Sequence, residues 1–278
     1  MKKKILYFEA PDGISGDMTL GALIDLGADV SAIKRELDTF VPGEYELIPR
    51  PFERNGIHGV SLDVIVPGEM HDHGHSRQKE PSPMSHDHGH SRQKEPSPMS
   101  GHRRYGEIAE MISGSGIPGE AKGYALAIFD VIAEAEAAVH RVPKAEVVFH
   151  EVGAMDSIID IVGTAIAVSL LGADAFYTAA LHDGSGVIEC RHGVIPVPVP
   201  AVMEMAKGRD VPVVIESDVD TEMITPTGFG IIAGLGAKFE PRLGIVPEKT
   251  GYGFGKRDTG RLGALRVTLG ELYEEEAI

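Results

Sequence analysis

The pentapeptide HDHGH occurs twice, at 71–75 and 86–90. It brings His71, His73, His75, His86, His88 and His90 together, with His102 close behind. Imidazole nitrogen is a good ligand for nickel, copper and zinc. Alternating histidines on a flexible chain can wrap around an ion without a preformed site, which gives loose, exchangeable binding suited to capture and delivery. The residue type names a transition metal without choosing one, because affinity order alone favours copper. The competing reading is a solvated insert with no duty.

Three further constellations could do chemistry. In FHEVGAMDSIIDIVG (149–163), His150 and Glu151 precede a turn, and Asp156 and Asp160 are four apart. On a helix those two acids share a face. The rest of that helix is apolar, so they need a partner, a hydrogen bond or a cation. Glu151, Asp156 and Asp160 are the candidate catalytic carboxylates, and His150 a candidate ligand; helix capping is the competing role for Asp156. LHDGSGVIECRHG (181–193) supplies His182, Asp183, Cys190 and His192. A lone cysteine more often packs than reacts, so His182 and Asp183, beside glycine, are the preferred metal ligands. The turn DGISGDM (12–18) sets Gly13, Ser15, Gly16 and Asp17 between a strand and a helix start, where backbone N–H groups can cradle a phosphate. It matches neither a P-loop nor a dinucleotide fingerprint. Thr225, Thr227 and Gly228 form a similar helix start with Glu222 nearby, and GYGFGKRD (251–258) adds Lys256 and Arg257.

These residues need a scaffold that interleaves strands and helices. ILYFEA (4–9) reads as a buried strand, followed by a helix capped by Ser15 or Asp17 and ended by Gly27. Residues 30–41 read as an amphipathic helix. Residues 44–66 read as a hairpin turning at Asn55-Gly56. Helices are expected near 104–114, 118–140 and 155–171, the last buried on most sides. Strands are expected at 174–181, 186–197, 211–216, 241–254 and 262–272. A short helix at 200–207 would start at Pro200, and a glycine-interrupted helix would cover 226–236. The pattern predicts an α/β (or α+β) fold, a mixed sheet flanked by helices. Residues 1–66 and 103–278 would make one folded domain around a disordered His-rich insert at 67–102. Within that insert HDHGHSRQKEPSPMS is duplicated perfectly, at 71–85 and 86–100. It has no periodic apolar face with which to bury a core.

Composition narrows the partners. The formal charge is −16. Acids and bases balance within 71–102, so the acidity belongs to the rest of the chain. That disfavours nucleic acid, since phosphate backbones need clustered Lys and Arg, and it suits cations as well as solubility. No apolar stretch reaches the roughly 18 residues of a membrane span. The basic start MKKK is followed by too short an apolar run for a signal peptide. Cys190 is the single cysteine, so no intrachain disulfide forms, which fits a reducing cytoplasm.

GISGDMTLGALIDLG, FHEVGAMDSIIDIVG, GSGVIECRHGVIPVPVPAV, ITPTG and GYGFGKRD occur in that order. Together they resemble the nickel insertion protein family of the lactate racemase system, over nearly the whole chain except the histidine tract. The resemblance implies nickel insertion into a pyridinium-3,5-bisthiocarboxylic acid mononucleotide, giving the nickel-pincer nucleotide cofactor. It implies Ni²⁺ and consumption of CTP with a divalent cation, Mg²⁺ or Mn²⁺. Family members also carry a histidine-rich stretch at this place. The first strand of the family commonly ends in Asp-Cys, whereas Glu9 and Ala10 stand here. Family members continue past the equivalent of Ile278 into a C-terminal domain associated with CTP binding and oligomer assembly. The chain therefore reads as the N-terminal part alone: a naturally short member, half of a split protein with a separately encoded C-terminal domain as its partner, or a truncated reading; a homo-oligomer is the expected assembly. A nickel store or chaperone without catalysis, and a metal-dependent phosphoesterase on the same acids, are the alternatives.

Overall fold

The structure, a computed structural model, describes residues 3–43, 45–67 and 103–273. The six histidines of the duplicated tract, His71, His73, His75, His86, His88 and His90, lie outside the described residues. The elements run β1 (Lys4–Ala10), α1 (Gly16–Leu26), α2 (Val30–Leu37), β2 (Glu46–Arg54), β3 (Ile57–Ile65), β4 (Arg103–Arg104), α3 (Tyr105–Gly114) and α4 (Gly119–His140). They continue with β5 (Val148–Phe149), α5 (Met155–Leu171), β6 (Ala175–Asp183), β7 (Val187–Cys190), β8 (Gly193–Pro196) and α6 (Pro200–Ala206). Last come β9 (Val213–Ile215), α7 (Pro226–Gly234), β10 (Lys238–Phe239), β11 (Ile245–Phe254) and β12 (Ala264–Leu272).

The main sheet is mixed, as expected for an α/β fold. Its order is β10-β6-β1-β12-β11-β3-β2, with β9 also paired to β6. β1, β6, β9 and β10 are parallel neighbours. β12 runs antiparallel to both β1 and β11. Hence β1, β6, β9 and β11 all end on the same edge, where α/β sheets gather their ligand sites.

One face of the sheet is covered by α1. Leu6, Phe8, Leu265 and Val267 point to it and are fully buried. On β11 that face carries Gly251 and Gly253. A Cβ on Gly253 would stand 1.8 Å from the Met18 carbonyl oxygen, and one on Gly251 2.3 Å from that of Ala22. The two glycines thus set how closely the helix lies on the strands. α5 packs behind α1 and α4 packs behind α5. The glycines that interrupt α7 serve α4 in the same way: a Cβ on Gly234 would meet Ile128, and one on Gly230 would meet Ile132. On the opposite sheet face Glu9 pairs with Arg266, Nε to Oε2 at 2.6 Å. Ala10 is buried.

Local signals work where they are strong. Ser15 caps α1, and Gly27 ends it in the left-handed region at φ 115°. The β2–β3 hairpin turns through Asn55 and Gly56, both at positive φ. The stretch expected as one strand at 186–197 is instead a hairpin: the chain reverses through Arg191 and His192, and Gly193, at φ 87°, opens the return strand opposite Cys190. The second helix stops at Leu37, short of the expected end at 41. β4, β5 and β10 are two residues long each, too short to show a period. Among the described residues no helix is long and apolar enough to cross a membrane.

The α1–β11 contact makes a direct stability test. Gly253→Ala is expected to cost about 3 kcal/mol in urea unfolding, because the added methyl has only backbone to push against. Gly123→Ala is the control: the site lies in α4 with nothing within 4 Å of its Cβ position. It should gain about 0.5–1 kcal/mol from the lower entropy of the unfolded chain. Equal midpoints for the two variants would refute this account of the packing.

Candidate functional site

The turn after β1 and the segment before α7 are far apart in sequence and adjacent in space. Ile14 and Ile224 form a parallel bridge. The Ile14 N–H donates to the Met223 carbonyl at 2.9 Å, and the Thr225 N–H donates to the Ile14 carbonyl at 3.0 Å. Side chains would block this approach. A Cβ on Gly13 would fall 2.2 Å from the Met223 oxygen, and one on Gly228 2.2 Å from the Ile14 oxygen. The two helix starts therefore lie side by side. Ser15 caps α1, while the Thr225 hydroxyl accepts the Gly228 N–H at 3.1 Å and shares a hydrogen bond with Thr227 at 2.7 Å. All seven residues expected around an anion, Gly13, Ser15, Gly16, Asp17, Thr225, Thr227 and Gly228, belong to this double turn.

Lys256 and Arg257 reach the same cavity from the end of β11. Lys256 Nζ lies 3.0 Å from Asp63 and 3.5 Å from Asp17. Burial alone would lower its pKa, but Asp17, Asp63 and Asp160 outweigh it and hold the ammonium charged. Asp160 sits beneath the turn, its Cβ 2.8 Å from the space above Gly16. Burial first, then the charges of Asp17 and Asp156, push its carboxyl well up, with Lys256 opposing. Oδ1 of Asp160 is buried without a hydrogen-bond partner among the described residues. Asp156, also on α5, hydrogen-bonds the Ser157 N–H. Neither acid lines a cavity shared with the histidines.

A second cavity opens beside the first, walled by the end of α4, the β5–α5 turn and the β7–β8 hairpin. His140, His150 and His192 converge on it. Their ring centroids are 5.1 Å apart for His140–His192, 5.1 Å for His150–His192 and 6.0 Å for His140–His150. One ligand nitrogen from each lies within 4.8 Å of the others, and Glu151, Cys190 and His192 form an overlapping group of the same tightness. An ion at about 2 Å from each nitrogen needs them about 3 Å apart, which small ring rotations supply. Glu136 lies 3.2 Å from His140 Nε2 and orients that ring as carboxylates orient metal-bound histidines. Burial pushes the Glu136 carboxyl up, against the pull of His140 and His192.

The expected ligands divide. His150 and Glu151 join this cluster. His182 does not: its Nδ1 pairs with Glu216 at 2.6 Å, and Glu216 also holds Arg261 at 3.0 Å. Asp183 is fully buried. Its Oδ1 accepts N–H bonds from Gly184 (2.8 Å), Met223 (2.7 Å) and Ile224 (3.0 Å). It acts as a bolt between β6 and the segment before α7. Sequence reasoning passed over His140, which ends an alanine-rich helix that reads as core, and ranked Cys190 and His192 below His182 and Asp183. It named Glu222 only as a neighbour of Thr225. A histidine in the last turn of a helix was the available signal for His140; Glu222, in a loop, carried none.

Glu222 lines both cavities and is 9% exposed. Arg257 Nη1 lies 3.5 Å from its carboxylate. Burial pushes the carboxyl up to about 7, with Arg257 opposing and Asp183 and Glu151 adding to the shift. A carboxyl raised in the folded state from its ordinary 4.5 stabilises most below pH 4.5, and that stability is lost as pH rises through 7. Glu222→Gln removes the titration. Relative to the wild type it should therefore be near neutral at pH 4.5 and more stable by about 3 kcal/mol at pH 8. Urea unfolding at the two pH values checks this; a difference that does not grow with pH refutes it.

The profile of the nickel insertion protein family matches residues 6–278. The pyridinium-3,5-bisthiocarboxylic acid mononucleotide nickel insertion protein of Acetivibrio thermocellus is 44% identical over 99% of this chain and 62% of its own length. The protein of the same name from Lactiplantibacillus plantarum is 48% identical over 96% of this chain and 61% of its own. A putative nickel insertion protein of Citrifermentans bemidjiense is 40% identical over 98% and 62%. The chain thus spans about three-fifths of the length of these relatives. No solved structure matches it. The profile match over nearly the whole chain and these relatives together show that the chain belongs to the nickel insertion protein family.

Proposed function

We propose that this chain inserts nickel into a pyridinium-3,5-bisthiocarboxylic acid mononucleotide, giving the nickel-pincer nucleotide cofactor. The observation that carries this is the pair of adjoining cavities. One gathers His140, His150, His192, Glu151 and Cys190; the other sets two helix starts, Lys256 and Arg257 where a phosphate would sit. Imidazole and thiolate suit Ni²⁺, and helix N-termini suit the phosphate of a mononucleotide. The names of the relatives state this substrate and this metal.

In this reading nickel arrives as substrate. The histidines at 71–90 collect it and the folded cluster receives it. CTP with Mg²⁺ or Mn²⁺ is the co-substrate that the resemblance implies. A segment equivalent to the rest of the relatives' length is the partner, and homo-oligomers are the assembly. The chemistry is ligand exchange, in which two sulfur donors of the nucleotide displace imidazole, thiolate and carboxylate from the ion. The compartment is the cytoplasm.

Two measurements test it. The purified chain, together with the remaining portion of a relative, should nickelate the dithio-nucleotide in the presence of CTP, as read by mass spectrometry. Absence of product would sink the insertion reading. In a chain lacking 71–102, nickel should still bind the folded part, and His192→Ala should weaken that binding about 10- to 100-fold in calorimetry. Disappearance of all nickel binding with the tract would favour storage instead.

A further inference from the structure

Glu222 stands where the two cavities meet. It shares one with His140, His150 and His192 and the other with Ser15, Thr225 and Arg257. Its place is fixed through the backbone around it. Asp183 takes the N–H groups of Met223 and Ile224, and the Ile14 N–H takes the Met223 carbonyl. Gly184 admits Thr221 so closely that a Cβ would stand 1.9 Å from its carbonyl oxygen. By whole-residue exposure Glu222 and Asp183 are buried acids, at 9% and 0%. Asp183 spends one oxygen on three backbone N–H groups. The carboxylate of Glu222 faces Arg257 at 3.5 Å, a long contact that leaves acceptor capacity open.

A ligand with its phosphate against the two helix starts and its ring beside the histidines must pass over this carboxylate. An ion held by sulfur groups on ring carbons 3 and 5 faces carbon 4, which lies between them. We infer that Glu222 is the proton acceptor when nickel replaces the hydrogen on that ring carbon, an assignment that rests on the insertion reading above. The step balances without an oxidant or reductant. The C–H bond breaks, its electron pair enters the new C–Ni bond, the proton passes to a carboxylate oxygen of Glu222, and nickel stays divalent. Its position between the two cavities, with an oxygen not committed to a short hydrogen bond, is the geometry a proton acceptor at that carbon needs. Other acids around the cavities are less suited. Glu151 belongs to the ligand group and is exposed, and Asp17 is engaged with Ser15 and Lys256.

The test uses the full chain with the remaining portion of a relative, NiCl₂, CTP and the dithio-mononucleotide. Glu222→Gln keeps shape and removes the base. Nickel and nucleotide affinities should stay within about threefold of the wild type, while single-turnover C–Ni formation slows by about 100-fold or more. Nickel would then be held by sulfur alone, with the ring proton still visible by proton NMR. In Glu222→Ala, added formate should restore at least a tenth of the rate. Wild-type turnover by Glu222→Gln, or loss of nickel or nucleotide binding in a variant with native melting, overturns the assignment, as does failure of formate to rescue. A wild-type chain that forms no nickelated product overturns the insertion reading itself, and this inference with it.

Discussion

The carboxylate of Asp183 is the contact on which the site depends. It ends β6 with no exposed surface and binds three backbone N–H groups, two of them from the segment that carries Glu222. Hydrogen bonds to a charged acceptor contribute about 1.5–3 kcal/mol each, and here they act against the cost of burying the charge. Burial pushes the Asp183 carboxyl up, and the three N–H donors and Arg257 pull it back. The Ser185 N–H to the Val219 carbonyl, at 2.8 Å, adds to this bolt between β6 and the loop before α7. The Ile14–Ile224 bridge, the paired helix starts and the wall between the cavities all follow from it.

The surrounding electrostatics serve the same end. Lys256 is held charged beside Asp17 and Asp63, and burial pushes the carboxyl of Asp160 beneath them well up. The cavity at the two helix starts therefore keeps a cation, while the neighbouring cavity collects imidazoles and a thiol. His140 and His192 on that cavity are exposed, and His150 is half-buried.

The fold was legible where local rules are strong. Apolar periodicity marked α4 and α5, Ser15 and Gly27 marked the ends of α1, and Asn55-Gly56 marked the hairpin. Glycines were legible as interruptions, though not in purpose: Gly253 and Gly234 exist to let helices close on their neighbours. The two-residue strands escaped notice because so short a run has no period. At the site, the anion-binding residues were readable in two separate pieces, since strand-to-helix turns rich in small residues announce themselves. The ligand set was harder. His182 and Asp183 look like ligands in a linear string, but β6 directs one to Glu216 and the other to the backbone.

By itself the sequence determined the residue types: imidazoles, one thiol and carboxylates that can serve as ligands or bases, and small residues that permit close approach. It also determined the order of elements that makes a mixed sheet. Only the tertiary structure decided which of these residues meet. His140, His150 and His192 come from a helix end, a turn and a hairpin, and no spacing along the chain encodes their 5–6 Å convergence. Glu222 became a candidate for the same reason. Its burial, its raised pKa and its place between two cavities are properties of packing, and packing joins residues that the chain holds far apart.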